Sequence, residues 1–505
     1  MSLADLSPRS VKIRLFLTCW MVYVLHFATD FVREHYLVLS IVESHTFRLD
    51  PYLGMHVDIF QNPPNAPHGG VHQDANPGIS FVGAIPYLIT KPAIDLVVKK
   101  TLAARGPADT TTQYIDPRWR RVEFYQKVRR LGLDVRFGLV GAVTQALCMA
   151  PLSAYSAVLI FSLLGHLGIG RKTALGLTLI YAFGTPVFFR TGFLNQNLGI
   201  GIASLLAFVL IWNPSGHFRW SLRTRYLIAG FLGGFSLLCD YSGGLSMGLL
   251  GLYALWVRRD ETNFAQGFKD SLWYAAGAIP PVLMLFYYQW ACFGDWFHPA
   301  QHWMPPVEGT DVGYQGVGGL SGELVRLLLI EPRYGLFVVA PITVLAFAAP
   351  WFNRRNTSFL PSRETWFCLA YAVAFILFFG CVQYTRLQYV TGLRYLAPVI
   401  PFLFLAAAAV LLRLPRWLGY SLALVSFVIN WSISMVRSQG SVMDNLVHVF
   451  VGGFQLPWLT VLGKTSKQYL PWLEAPVDAF PFFVLLGVAI ALVWTVRDPA
   501  KLPEK

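Results

Sequence analysis

Charge is what this sequence lacks. Only 13% of its 505 residues are Asp, Glu, Lys or Arg, against roughly 25% in a soluble globular chain. With 55% of the residues hydrophobic and 15% aromatic, the apolar excess must face lipid. A soluble enzyme, a nucleic-acid-binding domain and a disordered scaffold are excluded on that ground. Cysteine is also sparse. The six (Cys19, Cys148, Cys239, Cys292, Cys368 and Cys381) form no C-x-x-C pair and fall mostly inside apolar runs, so they mark neither a disulfide framework nor a zinc site. No small-x-small cleavage site follows the apolar run from Leu15 to Thr29, which reads as an uncleaved first span. Ionisable groups are nearly absent from the apolar runs, Asp240 being an exception at a turn. Ion-coupled transporters carry such groups at the bilayer midplane, which counts against a transporter.

What is present is a series of apolar stretches near the roughly 20 residues that a bilayer crossing needs. They cover 12–29, 136–165, 172–190, 193–212, 272–292, 333–352, 364–383, 395–413, 417–436 and 479–496. The stretch 224–257 would be about 50 Å long as one helix, too long for the hydrocarbon. It has arginines on both flanks and a break at Asp240-Tyr241-Ser242-Gly243-Gly244, so it is expected to be a hairpin of two spans. The expectation is an all-α polytopic membrane protein with about twelve transmembrane helices. It forms a single domain, 1–505, with external loops at 30–135, 293–332 and 437–478.

The net charge of +13 is then a basic cytoplasmic face. Every second loop is basic: Arg171-Lys172, Arg219–Arg225, Arg258-Arg259, Arg354-Arg355 with Arg363, Arg413 with Arg416, and the tail Arg497–Lys505. That alternation puts both termini in the cytoplasm of a cell whose inner or plasma membrane holds the protein. It also makes 79–98, although apolar, a juxtamembrane or re-entrant segment. The basic run 116–136 is expected as an interfacial amphipathic helix on anionic lipid headgroups.

Polar groups gather at the outer ends of the spans, which places chemistry at the external membrane surface. The first loop, Asp30 to Gly78, holds six acids and five of the eleven histidines. Asp30 follows the first span directly. A carboxylate shielded there can act as general base on a hydroxyl, or it can simply cap a helix over Phe31–Val42. His56-Val-Asp58 and His72-Gln-Asp74 each put an imidazole and a carboxylate on one side of an extended strand. That is a weak pattern for a divalent metal, against the plainer reading of solvated loop histidines. No cofactor is certain from it. Arg386 and Arg394, on either side of the loop near 390, suit a phosphate clamp or snorkelling to headgroups.

Several short motifs then fall in a telling order. They are Thr29-Asp30-Phe31, Asn76-Pro77-Gly78-Ile79-Ser80 with Pro86-Tyr87, Gly184-Thr185-Pro186 with Asn195, and Cys292-Phe293-Gly294-Asp295. Pro332-Arg333-Tyr334-Gly335-Leu336-Phe337 and Gly392-x-Arg394-Tyr395-Leu396-x-Pro398 complete the set. Along nearly the whole chain this order resembles the C-type (GT-C) membrane glycosyltransferases, in particular bacterial relatives of the dolichyl-phosphate-mannose-protein mannosyltransferases. The resemblance implies inverting transfer of a sugar from a polyprenyl-phosphate donor to a glycan, lipid or protein acceptor on the external face. It implies Asp30, with Glu34 one turn later, as the catalytic acids, and Arg394, Arg386 and Arg333 as holders of the donor phosphate. His72, Asp74, Asn76, Asn195, Asp240 and Tyr395 are the substrate-binding candidates. Two positions depart from the family pattern: Thr29 stands where many members have a second acid, and Asn76 where a lysine is common. The competing expectations are a lipid-linked sugar flippase and a non-catalytic subunit of envelope glycan assembly.

Overall fold

The computed structural model describes residues 6–105, 119–306, 309–310, 312–355, 358–388, 390–436, 438–465 and 478–496. Arg118, Trp472 and the basic tail 497–505 lie outside them. The fold is helical. In chain order the helices are α1 (Pro8–Leu25), α2 (Arg33–Ser44), α3 (Gly78–Ala104), α4 (Trp119–Arg130), α5 (Asp134–Thr144), α6 (Ala150–His166), α7 (Arg171–Phe183), α8 (Val187–Arg190) and α9 (Gln196–Trp212). Then come α10 (Leu222–Cys239), α11 (Gly243–Glu261), α12 (Phe264–Phe293), α13 (Ala300–Trp303), α14 (Gly322–Ile330), α15 (Leu336–Val339), α16 (Ala349–Arg354) and α17 (Ser362–Gly380). The last are α18 (Ile400–Leu411), α19 (Arg416–Val436), α20 (Val442–Gly452), α21 (Pro457–Thr465) and α22 (Phe480–Thr495).

One short antiparallel hairpin, β1 (Ile59–Gln61) with β2 (Val71–Gln73), qualifies the all-α expectation. It folds the histidine-rich part of the first loop back on itself, Phe60 facing His72.

Among the described residues, four helical stretches are each long and apolar enough to cross a bilayer: 78–104, 134–166, 362–380 and 416–436. With the shorter apolar helices α9, Ala397–Leu411 and α22, they make this a multi-pass membrane protein. The stretch 224–257 is the expected hairpin, α10 and α11 meeting at Asp240. The stretch 333–352 is not one helix: α15 and α16 are separated by a tighter 3-10 segment, Pro341–Ala348. Pro341 and Pro350 each remove a backbone donor there, which weakens a regular α-helix at that point. α10 packs closely on α12 through small residues. A Cβ at Gly230 would collide with the Tyr274 carbonyl, and one at Gly277 with that of Leu227, the small-residue packing expected between helices in lipid.

α3 passes for a span by length and composition, yet its ends are tied to one side of the bundle. α1 and α6 run antiparallel, with Lys12 bonded to Ser162 (2.8 Å) at one end and Phe27 packed on Gly141 at the other. At that second end Ala28 N–H donates to Gly192 O (2.8 Å), and nearby Gln196 donates to Asp240 (2.8 Å). α3 begins there, Gly78 lying against Leu238 and Cys239. It finishes with Arg105 bonded to Asp134 (2.9 Å), beyond Gly141 on the same side. Both ends of α3 thus meet the same end of the neighbouring helices, while its length and composition also suit a crossing. Ile85, Leu88, Ile89 and Leu96 are exposed along it. The basic run 116–136 is two pieces rather than one helix: α4 stops at Arg130, and Gly132, at φ +68°, turns the chain into α5.

Candidate active site

The segment Thr29–Glu34 leaves α1 and enters α2 between two environments. Thr29 adopts φ +59°, a conformation costly for a β-branched residue and often found at functional turns. Asp30 does not cap α2. The helix starts at Arg33, and the Val32 N–H donates to His35 Nδ1 (3.0 Å) instead. His35 is itself held by stacking on Phe31, with ring centroids 4.7 Å apart. With that position taken by an imidazole, Asp30 lines a cavity of about 790 Å³ walled by the end of α1, by α4 and α5, and by Trp458, Val461 and Leu462 of α21. Phe27, Phe31, Phe124 and Phe137 make the cavity mostly apolar. Arg105, Arg129 and Asp134 supply charge at its wall.

On the other side of the segment Arg33 organises a buried ionic cluster. Its Nη1 donates to Asp58 Oδ2 (2.9 Å) and Asp74 Oδ1 (2.6 Å), and its Nε lies 3.4 Å from Glu34 Oε1. Arg33, Glu34 and Asp74 are each 9% exposed or less. Burial works against ionising Asp58, but Arg33, with His56 and Arg394, outweighs it and holds this carboxyl below its ordinary range. Asp74 goes the other way. Burial lifts it to about 7, Arg33 opposing and the Asp58 and Glu34 charges adding to the rise. Two carboxyls sharing one cation thus divide into an ionised and a readily protonated member, as like charges at close quarters must.

That division has a measurable consequence. An unfolded Asp ionises near 4, so between about pH 4 and 7 the folded protein keeps a proton on Asp74 that the unfolded chain releases. The stability contributed by this group is full below pH 4 and is lost as pH rises through 7. His56 and His72, both lowered by burial, pull the opposite way, so the test is a difference. Thermal unfolding in detergent should show the advantage of the wild type over Asp74→Asn shrinking steadily from pH 5 to 8. A constant difference would show that Asp74 does not titrate there.

Arg394 faces this cluster from the loop before α18. Its backbone N–H donates to Gln388 Oε1 (3.1 Å) and its guanidinium lies 5.0 Å from the Tyr395 ring centroid. Among the described residues that guanidinium has no hydrogen-bond or ion-pair partner, while it senses the charges of Arg33, Asp58 and Glu34. The loop is fixed by Arg190, 2% exposed, which donates to the carbonyls of Gly392 (2.7 Å) and Leu393. Asp240 closes the far side, accepting from Gln196 Nε2 (2.8 Å) and from the backbone and hydroxyl of Ser242 (2.9 and 2.7 Å).

No family model matches this sequence, and none of the curated proteins does. Two solved structures align with it. One is the crystal structure of ArnT from Cupriavidus metallidurans bound to undecaprenyl phosphate, with a TM-score of 0.47 and 14% identity, covering 96% of this chain and 75% of that one. The other is the same protein in the apo state, with a TM-score of 0.46 and 13% identity, covering 97% and 76%. The roles argued below rest on this chain's own residues.

Of the sequence-predicted residues, Glu34, His56, Asp58, Asp74, Asp240, Arg394 and Tyr395 come together around Arg33. Asp30 lines the apolar cavity, together with Arg105, Arg129 and Asp134. Arg333 and Arg386 gather at Tyr334. The first reaches the Arg394 loop only through its carbonyl, which accepts from Gly392 N–H (2.9 Å), and the second is exposed and bonded to Gln383 (3.0 Å). Asn76 spends its amide on the Leu237 carbonyl (2.9 Å) and Asn195 caps α9 through Leu198 N–H (3.0 Å). His72 and Asp74 have different partners. His72 bonds to Asn62 Oδ1 (3.0 Å) beside Phe293, and the Asp74 carboxylate to Arg33 (2.6 Å). His56 does meet Asp58, at 3.6 Å. No three metal-ligating side chains converge among the described residues, and Arg33 stands between Asp58 and Asp74. Arg33 is the residue sequence reasoning missed. The available signal was an arginine in an acid-rich segment outside the basic loops.

Proposed function

We propose that this protein is a membrane glycosyltransferase of the GT-C kind, transferring a sugar from a polyprenyl-phosphate donor to an acceptor hydroxyl on the external face with inversion. The observation that carries this is the guanidinium of Arg394, which faces the Arg33 cluster and has no hydrogen-bond or ion-pair partner among the described residues. A fixed cation of this kind is what a phosphate leaving group needs, because negative charge grows on its oxygens as the glycosidic bond breaks. Little other chemistry is asked of the protein at the donor. Arg190 acts as a positioning residue, since its bonds to Gly392 and Leu393 set where Arg394 points. Asp30, at the rim of the apolar cavity, takes the proton from the acceptor hydroxyl as it attacks. The cavity's phenylalanine walls suit an acceptor that brings apolar chain with it.

The test is binding. Arg394→Ala should weaken binding of a polyprenyl phosphate in detergent by about 10- to 100-fold, the worth of a charged hydrogen bond or two, and leave acceptor binding unchanged. Equal losses for both ligands would argue against a phosphate clamp.

A further inference from the structure

A second cavity, of about 260 Å³, lies at the end of the bundle away from Asp30 and Arg33, where α1 begins, α6 ends and α7 starts. Lys12, His166 and Arg171 line it together with Ser162 and Gly165, and among the described residues of its wall there is no acid. Lys12 bonds to Ser162 Oγ (2.8 Å) and makes no ion pair among the described residues. Arg171 spends one nitrogen on the Leu6 carbonyl (2.8 Å). His217 stands behind His166, with ring centroids 4.5 Å apart. Burial, with the charges of His166 and Lys12, lowers it to about 4. The positive charge of this cavity has no counterpart in its wall.

Two further features point to an occupant. α7 opens on Arg171 and Lys172 after an N-cap glycine, Gly170, with no capping side chain and no acid in its first turn. Cations at that end oppose the helix dipole, and the first N–H groups of a helix are free for an anion to take. Packing does not require glycine at 165, since a Cβ there would meet nothing within 4 Å. Its bareness keeps the cavity open. A guanidinium, an ammonium and backbone N–H groups around one small space suit a phosphate. The rest of the wall says where the phosphate comes from. Phe161, Ile169 and Ala174 are apolar, Ile13 beside Lys12 is exposed, and the stretch that ends here, 134–166, is long and apolar enough to cross a bilayer. The cavity is also smaller than the roughly 300–1,000 Å³ that encloses a whole small-molecule ligand, so it takes a head and leaves the chains in lipid. We infer that it seats the phosphate of an anionic phospholipid, in the leaflet opposite the Arg33 cluster. Basic pockets between spans are built for such headgroups. A zwitterionic headgroup is rejected because its ammonium would meet cations and no acid.

The experiment titrates the full-length protein, in an uncharged detergent, with dioleoyl phosphatidylglycerol, dioleoyl phosphatidylcholine and inorganic phosphate, and measures binding of each. Phosphatidylglycerol should bind about tenfold or more tighter than phosphatidylcholine, and millimolar inorganic phosphate should not displace it. Lys12→Gln and Arg171→Gln should each cut the lipid preference about fivefold, the worth of one partly exposed charge contact. Gly165→Trp should remove it while every charge stays, because the indole takes up the space. Arg394→Ala should leave it unchanged, which tells this lipid apart from an anion drawn to the Arg33 cluster. If a charge variant fails to fold, Gly165→Trp, at a position with room for a side chain, decides. No preference in the wild type, or one that survives in every folded cavity variant, overturns the inference. So does inorganic phosphate that displaces the lipid, since the site then holds a free anion. A preference lost with Arg394→Ala instead overturns it as well.

Discussion

Asp30→Asn should lower sugar transfer by about 10² to 10⁴-fold, the usual span for loss of a general base. The substitution is close to isosteric, but it cannot accept a proton. Capping α2 is not a task it removes, because the Val32 N–H bonds to the ring of His35. Asp30 is in the wall of the cavity of about 790 Å³, where the proposed acceptor would sit. Asp74 is the rival, being poised near 7 within the ionic cluster. A side-by-side rate measurement on Asp30→Asn and Asp74→Asn separates them. If transfer survives the first and collapses in the second, the base lies beside Arg33 and the apolar cavity serves only to seat a chain. If it survives both, the chain is not the catalyst and the assembly-subunit reading takes over.

Arg33→Ala is expected to be the most damaging change to stability. It leaves Glu34, Asp58 and Asp74 with no guanidinium among them, and removing one member of a buried ion pair typically costs about 3–5 kcal/mol. The loss comes chiefly from the charges left behind rather than from the bonds broken. A double substitution exposes this. Adding Asp74→Asn to Arg33→Ala should recover part of the lost unfolding temperature, a non-additivity expected of residues in one network. Additive losses would mean that the cluster is not electrostatically coupled, and a neutral Arg33→Ala would mean that it is solvated and open.

The helices were largely legible because bilayer thickness sets a length that sequence shows directly. The turn at Asp240 followed from basic residues on both flanks of one overlong run. Where prolines interrupt a run, as at 341 and 350, the apolar pattern alone hid the break between α15 and α16. Within the site, individual residues were legible and their grouping was not. Arg33 pairs with carboxylates 25 and 41 positions away, a relation that no local spacing encodes. The spacing of His72 and Asp74 did not reveal that their partners differ, Asn62 for one and Arg33 for the other. The cap expected of Asp30 went unmade because a histidine three residues into the turn offered a better-placed acceptor.

The course of α3 bears on how the chain is made. During synthesis the insertion machinery meets a 27-residue segment as apolar as several genuine spans. Whether it crosses decides the parity of every later span. Lys91 and Asp95 near its middle oppose that, since a lysine or aspartate at a helix centre costs about 2.5–3.5 kcal/mol to insert. In the finished protein Lys91 bonds to Asp95 (2.5 Å), which also receives Arg136 from α5 (2.8 Å). The two charges that make this segment costly to insert thus pair with each other, and one of them, Asp95, also fastens it to α5, so a neutral pair at 91 and 95 would both cheapen insertion and loosen that contact.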